Sequence, residues 1–176
     1  MLETERLRLR RFTADDFDFF AALQANPDVM RHVGGVKSRE ESRDLFRERV
    51  LEYYDANPGL GIWATIERGT GALTGMHLLN HIRGETIVQV GYILDQPFWG
   101  KGYATEMAIA LLRYGFTDLA LPHIAAITNL DNVASQHVLE KAGLRRHGER
   151  AFPHPAYASQ GPLAWFEVER TAWLRR

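Results

Sequence analysis

The sequence contains no cysteine, which excludes disulfide bonds, thiolate metal ligands and an acyl-enzyme on cysteine. It also has no apolar run near the ~20 residues that a membrane-spanning helix requires. The first six residues, MLETER, lack the apolar stretch of a signal peptide. The missing cysteines suit a reducing compartment, and we therefore expect a cytoplasmic protein.

The chain also lacks an excess of either charge. It has 21 Lys and Arg against 22 Asp and Glu, a formal net charge of -1. Such a chain has no general attraction for nucleic acid or for a membrane surface, so we expect neither as a partner, and any anion site must be local. The seven histidines show no metal-binding spacing such as H-E-x-x-H, so we expect no metal.

What is present indicates one folded domain over 1–176. The hydrophobic share of 45% is that of an ordinary globular protein, and no repeat, low-complexity tract or linker divides the chain. Hydrophobic periodicity predicts strands near 7–12, 62–67, 73–82, 87–94, 123–128, 144–150 and 163–168. It predicts helices from Thr13 to about Asn26, from Ser38 to about Ala56, after Gly102, and over 131–142, with a loop at 29–36.

The order of these elements predicts an α/β fold with a mixed sheet. Short connections favour antiparallel strands in the N-terminal part. One strand–helix–strand crossover is expected in the middle, on either side of the helix that follows Gly102.

A glycine-rich turn, WGKGYAT at 99–105, joins a predicted strand to this helix. A helix N-terminus presents unpaired N–H groups and a partial positive charge to phosphate, and glycine lets the backbone approach closely. A P-loop needs Ser or Thr where Gly102 stands, and a dinucleotide fingerprint needs a small residue where Thr105 stands. A phosphate binder of another class and a plain tight turn stay open.

Four segments together resemble the GNAT superfamily of N-acetyltransferases, and within it the RimJ/RimL-like branch of ribosomal-protein acetyltransferases. They are TERLRLR at 4–10, VGYIL at 90–94, WGKGYATE at 99–106, and NVAS at 132–135 with VLEKAGL at 138–144. The resemblance covers the chain almost end to end. It implies an acyl-CoA N-acyltransferase fold, in which a central, splayed pair of parallel strands is flanked by helices.

The resemblance also implies that acetyl-CoA is the co-substrate, bound between strands 91–94 and 123–128. Its pantetheine arm would contact the backbone of Tyr92, Ile93 and Leu94 and the side chain of Asn132. Its diphosphate would lie on the amides of Trp99, Gly100, Lys101, Gly102, Tyr103, Ala104 and Thr105. Ser135 would lie near the thioester sulfur, where some relatives use a hydroxyl as proton donor to the thiolate.

Two positions depart from the family pattern. Pro97 stands where many members carry Arg or Gln, and Gln89 stands where relatives often carry a glutamate. Glutamine cannot act as a base, so we name Glu149, His154 and His81 as candidate bases. An α-amine with a pKa near ~7.7–8.0 is roughly a tenth neutral at pH 7, whereas a lysine near ~10.4 is almost fully charged. We therefore favour an α-amine acceptor.

We expect acetyl transfer by direct attack of the amine in a ternary complex with acetyl-CoA. The acceptor would be a protein N-terminus or an amine-bearing small molecule. Its pocket would be formed by 29–36, by the strand around Asn80 and His81, and by 152–161. The alternative is a non-catalytic acyl-CoA-binding sensor or interaction module on the same fold. Exposed sheet edges leave a homodimer open.

Overall fold

A computed structural model describes residues 2–175 and contains one seven-stranded sheet in the order β1-β2-β3-β4-β5-β7-β6. The strands are β1 (Leu7–Arg11), β2 (Gly61–Glu67), β3 (Leu73–His81), β4 (Val88–Leu94), β5 (His123–Thr128), β6 (Arg145–Arg150) and β7 (Leu163–Glu169). The helices are α1 (Phe17–Ala25), α2 (Pro27–Met30), α3 (Arg39–Phe46), α4 (Tyr53–Ala56), α5 (Tyr103–Thr117), α6 (Val133–Ala142) and α7 (Arg170–Trp173). Within 2–175, none of these helices is long and apolar enough to cross a membrane.

The sheet is mixed, as predicted. Strands β1 to β4 form an antiparallel meander, and β7 pairs antiparallel with both β5 and β6. Strands β4 and β5 are parallel, and α5 provides the crossover between them. This confirms the predicted sheet and its central parallel pair flanked by helices.

A capping box starts α3 at Ser38, where a helix was predicted to begin. Ser38 Oγ accepts from the Glu41 backbone N–H at 3.2 Å, and Glu41 Oε2 accepts from the Ser38 N–H at 2.7 Å. The single helix predicted from there to Ala56 is divided, because a π-helical turn at Arg47–Leu51 separates α3 from α4.

The loop predicted at 29–36 is wrong in its first two residues. Val29 and Met30 lie in α2 and are buried. Asn26 begins this helix, because its side-chain oxygen accepts from the backbone N–H of Asp28 at 3.0 Å. The segment after Met30 is a turn rather than free chain, since Met30 O accepts from the N–H groups of Val33 and Gly35 at 3.0 and 3.1 Å.

Both faces of the sheet are packed, each against different helices. Helices α5 and α6 cover one face, where Met107, Phe116 and Phe166 are fully buried. Helices α1 to α3 cover the other face over β2 and β3, with Phe20 and Phe46 in contact at a ring separation of 4.9 Å. This second group of helices therefore leaves the face of β5 and β7 to the loop that follows β6, where Phe152 packs on Trp165.

A histidine is buried where β3 meets α5. His77 has no exposed surface, and its Nδ1 shares a 2.7 Å hydrogen bond with Thr65 Oγ1. Burial lowers the pKa of His77 to about 3, and the nearby backbone of Ala104 opposes this only weakly. The folded protein therefore keeps His77 neutral at pH values where the unfolded chain would protonate it.

We predict that this histidine makes stability fall as the pH drops. The unfolded chain takes up a proton near pH 6.5 and the folded chain does not, so stability is lost below about pH 6.5, by at most ~1.4 kcal/mol per pH unit. The free energy of unfolding would be measured with urea at several pH values between 6.5 and 5. Its slope against pH should be smaller in His77→Asn than in the wild type. The control His137→Asn, at an exposed site on α6, should keep the wild-type slope; equal slopes in all three would contradict the prediction.

Candidate active site

The central feature of the site is the early separation of β4 from β5. These parallel strands share a single register pair, Gln89 with Ala125. On its other side β4 pairs with β3 along its whole length, from Val88 to Leu94. The backbone of β4 beyond Gln89 therefore has no strand partner on the β5 side. Such an edge can pair with an extended ligand.

A cleft of about 1170 Å³ opens at this separation. Its lining includes all the residues predicted to bind the coenzyme except one: Tyr92, Ile93, Leu94, Trp99, Gly100, Gly102, Tyr103, Ala104, Thr105 and Asn132. Ser135 lines the same cleft, whereas Lys101 is outside its lining. The structure therefore brings together residues that are up to 43 positions apart in the sequence.

The glycine-rich turn lies at the start of α5. Gly100 and Gly102 have φ angles of 72° and 78°, a left-handed conformation that disfavours residues with a Cβ atom. The backbone N–H groups from Gly100 to Thr105 have no acceptor among residues 2–175, and no side chain caps the helix. Six successive unpaired donors at a helix N-terminus form a site suited to phosphate.

Side chains from the segment before β1 and from α5 hold this turn from behind. The guanidinium of Arg6 donates to Lys101 O at 2.9 Å and forms a salt bridge with Glu106 at 2.6 Å. Burial raises the pKa of Glu106, but hydrogen bonds from Thr4 and Arg6 outweigh this effect, so its pKa is lowered. Glu106 thus stays ionised and fixes Arg6, which fixes the turn.

Both the carbonyl and the side chain of Lys101 contact other residues of the protein. Its carbonyl is occupied by Arg6, and its ammonium group lies 5.0 Å from the ring centre of Phe98. Its side chain is therefore packed on an aromatic ring beside the cleft.

A hydrogen bond connects β4 to α6 across the cleft. Asn132 Oδ1 accepts from the Ser135 N–H at 3.1 Å and so caps α6. Ser135 Oγ lies 2.9 Å from the Tyr92 hydroxyl. Burial raises the pKa of Tyr92 well above its ordinary value, and the contact with Ser135 opposes this only in part. Both hydroxyls are neutral, and the pair could not be foreseen from the sequence because no local pattern links a strand residue to one 43 positions later.

The candidate bases lie elsewhere. Glu149 is exposed on β6, 3.7 Å from Arg146, and His154 caps a turn by accepting from the Ala156 N–H at 3.1 Å. His81 Nδ1 lies 2.7 Å from the Tyr53 hydroxyl. None of the three lines the cleft, so the structure does not bring them to Ser135.

The centre of the cleft carries amides where a carboxylate base would be expected. Gln89 and Asn80 face each other across β3 and β4 at 3.4 Å. The lining of the cleft contains one carboxylate, Asp28, and one imidazole, His32. Sequence reasoning placed His32 only within a predicted loop. Its Nδ1 lies 3.3 Å from Asp131, before α6.

Comparison with known proteins identifies the class. A family model described as an acetyltransferase (GNAT) domain matches residues 6–145. YkkB of Bacillus subtilis is 32% identical over 148 residues, covering 81% of this chain and 84% of YkkB. An Aspergillus fumigatus protein named "FsC-acetyl coenzyme A-N(2)-transacetylase" is 27% identical over 188 residues, covering 99% of this chain and 78% of that one.

A crystal structure shows the same architecture. An acetyltransferase of the GNAT family from Bacillus anthracis superposes with a TM-score of 0.77 and 27% identity, over 97% of this chain and 98% of that one. The divided sheet and these matches define an acetyltransferase enzyme. The chain belongs to the GNAT family of acetyltransferases, as the resemblance of its motifs predicted.

We predict that Gly100→Ala weakens coenzyme A binding about tenfold. A Cβ at this position meets nothing within 4 Å, so the change adds only the strain of a left-handed backbone, about 1–2 kcal/mol. The free variant relieves this strain by relaxing the turn, and binding must restore the left-handed conformation at that cost. Isothermal titration calorimetry with coenzyme A would measure the effect. Gly69→Ala is the matched control, since Gly69 has equal space and no left-handed φ. Wild-type affinity in Gly100→Ala would show that the turn does not bind the diphosphate.

Proposed function

We propose that this acetyltransferase moves an acetyl group from acetyl-CoA to an amine. The observation that carries the proposal is the row of six unpaired N–H groups at the start of α5, beside the edge of β4 that has no strand partner beyond Gln89. The diphosphate of coenzyme A would bind to the six N–H groups, and the pantetheine amides would pair with the edge of β4. The name of the Aspergillus relative, which includes acetyl coenzyme A and a nitrogen position, supports the same donor for this chain.

The residues around the cleft fit this co-substrate. Asn132 uses its side-chain oxygen to cap α6, which leaves its NH₂ group for a pantetheine carbonyl. Tyr92, Ile93 and Leu94 would contribute backbone groups, as an added strand requires. Among residues 2–175, no group of three or more His, Asp or Glu side chains is placed to hold a metal ion.

The proposed reaction is a direct transfer in a ternary complex. The amine nitrogen attacks the thioester carbonyl, the C–S bond breaks, the nitrogen loses a proton to solvent, and the sulfur gains one. Ser135 is the proton donor that we assign, because its hydroxyl lines the cleft and is oriented by Tyr92. Solvent returns a proton to Ser135, which balances the proton that the nitrogen releases. Tyr92 then acts as a positioning residue, and its high pKa keeps it a hydrogen-bonding phenol rather than a base.

The side-chain amides of Gln89 and Asn80 restrict which acceptor amines can react. Neither side chain can remove a proton, so an appreciable fraction of the acceptor must already be neutral before it attacks. An α-amine meets this condition near pH 7 and an unperturbed lysine does not. We therefore propose an α-amine, on a small molecule or a protein N-terminus, as the acceptor.

The RimJ/RimL-like assignment is a finer proposal with weaker support. The Bacillus subtilis protein named "Putative ribosomal N-acetyltransferase YdaF" is 26% identical over 137 residues. Other neighbours in structure are a spermidine N-acetyltransferase from Vibrio cholerae and an aminoglycoside acetyltransferase, at 19% and 18% identity. At such identities these structures share the fold alone, and their acceptors do not transfer to this chain.

We predict that Ser135→Ala lowers kcat on an α-amine by about 100-fold, the lower end of the range for loss of a proton donor, while acetyl-CoA binding stays near wild type. Release of the free thiol of coenzyme A from acetyl-CoA would be followed with a panel of amines, and binding would be measured by calorimetry. Thr171→Ala, which removes an exposed hydroxyl on α7 outside the lining of the cleft, is the control and should retain kcat.

Three outcomes would decide between the proposals. Tight acetyl-CoA binding without turnover of any amine would favour a non-catalytic acyl-CoA-binding module. Competition by ATP without binding of acetyl-CoA would favour a different phosphate ligand. Efficient acetylation of lysine ε-amines without turnover of α-amines would contradict the α-amine proposal.

A further inference from the structure

The end of the cleft farthest from the glycine-rich turn is cationic. Lys37, Arg49 and Arg83 all line the cleft there, and each is half-buried. They come from three elements: the segment before α3, the π-helical turn after it, and the loop after β3. The acidic side chain that shares the lining is Asp28, which accepts a hydrogen bond from Gln96 Nε2 at 3.1 Å. The balance of charge in this region is therefore strongly positive.

None of the three cations forms a salt bridge within residues 2–175. Their hydrogen bonds are to neutral groups, with Arg49 Nη2 donating to His81 O at 3.1 Å and Lys37 Nζ donating to Gly35 O at 3.4 Å. The acidic groups near enough to influence them are Glu41, which caps α3, and Glu48, which pairs with Arg47. These carboxylates are engaged elsewhere.

The three charges also act on each other. Burial lowers the pKa of Lys37, and the charge of Arg83 lowers it further. Burial likewise lowers the pKa of Arg83, and the charge of Arg49 adds to the effect. Folding thus assembles like charges in a partly buried site, an arrangement that an anion would stabilise.

A buried amide supplies an independent observation. Gln24 on α1 lines the same cleft, is 3% exposed, and its Oε1 has no partner among residues 2–175. Leaving a buried acceptor without a donor costs about 1–3 kcal/mol, which a ligand that brings an N–H or O–H group would recover.

The position of the cluster sets its distance from the reaction. Arg49 bonds to His81, which pairs with Val88, four residues along β4 from Tyr92. At about 3.3 Å per residue this is about 13 Å from the level of the Tyr92–Ser135 pair, before the long side chains reach back. An acceptor that spans both places carries its anion several bonds from its amine.

We infer that the acceptor is an amine that also carries a carboxylate or a phosphate, and that Lys37, Arg49 and Arg83 bind this anion. The inference rests on the proposed function, because it assigns the second half of the same cleft. It also predicts that polyamines and other polycations are poor acceptors, since they would be placed against three positive charges.

The test compares tripeptide amides Gly-Gly-Xaa with one common α-amine and a variable third residue. Glutamate and phosphoserine provide the two anions, glutamine and serine are their neutral matches, and lysine is the cationic arm. We expect kcat/KM to be at least tenfold higher for an anionic peptide than for its neutral match, and lowest for lysine. The two anionic arms would then show which anion the site prefers.

Variants of the cluster locate the effect. Arg83→Gln should raise KM for the anionic peptide about tenfold, with kcat nearly unchanged and with the neutral peptide unaffected. Arg83→Glu should reverse the order of the glutamate and lysine peptides. Arg146→Gln, on the exposed strand β6, is the control. Melting temperature and acetyl-CoA affinity would verify that each variant is folded.

The failure of this inference differs from the failure of the proposed function. Turnover of neutral or cationic peptides that equals or exceeds turnover of the anionic ones overturns the inference and leaves acetyl transfer intact. No turnover of any peptide overturns the proposed function. Calorimetry of the glutamate peptide with the coenzyme A complex then decides the inference: binding that Arg83→Gln abolishes supports it, and no binding overturns it.

Discussion

The separation of β4 from β5 beyond one register pair is the constraint on which the rest of the structure depends. A buried strand normally pairs its backbone groups on both sides, and β4 does so only toward β3. The exposed polar edge of β4 lacks a partner beyond Gln89, and the ligand that we propose, with its amide groups, would provide one. The sheet can remain open at this point because α5 packs on β3, β4 and β5 together and so joins its two halves.

The glycine-rich turn gains its precision from residues far away in the sequence. Gly100 and Gly102 permit the left-handed backbone, but they do not by themselves hold it in one place. Arg6 does, because it bonds at once to the carbonyl of Lys101 and to Glu106 one turn into α5. The segment before β1 therefore fixes the turn that we propose to bind phosphate, although it is not part of that turn. This explains in physical terms why the motifs at 4–10 and 99–106 occur together.

Much of the fold could be predicted from the sequence because the signals are local. The helix that begins after Ser38 and the helix that ends before Gly143, a glycine with a φ of 108°, lie where the pattern placed them. The π-helical turn at Arg47–Leu51 could not be foreseen, since its residues have ordinary helix propensities.

The site was less predictable than the fold. The residues of the turn follow from its motif, but the Tyr92–Ser135 bond and the cluster of Lys37, Arg49 and Arg83 arise only when distant segments meet. His154 is a residue that was predicted for the site but serves elsewhere. Its ring nitrogen caps a turn, and the sequence offers no sign of that.

The single rung between β4 and β5 has a mechanical consequence. It makes the middle of the sheet a seam, with the meander on one side and the three C-terminal strands on the other. A bound pantetheine chain would connect the two halves of the sheet, because it would hydrogen-bond to β4 on one side and contact α6 on the other. The coenzyme would then be a structural element as well as a reagent. The contact between the two halves of the sheet would be weakest in the interval between the release of one coenzyme and the binding of the next.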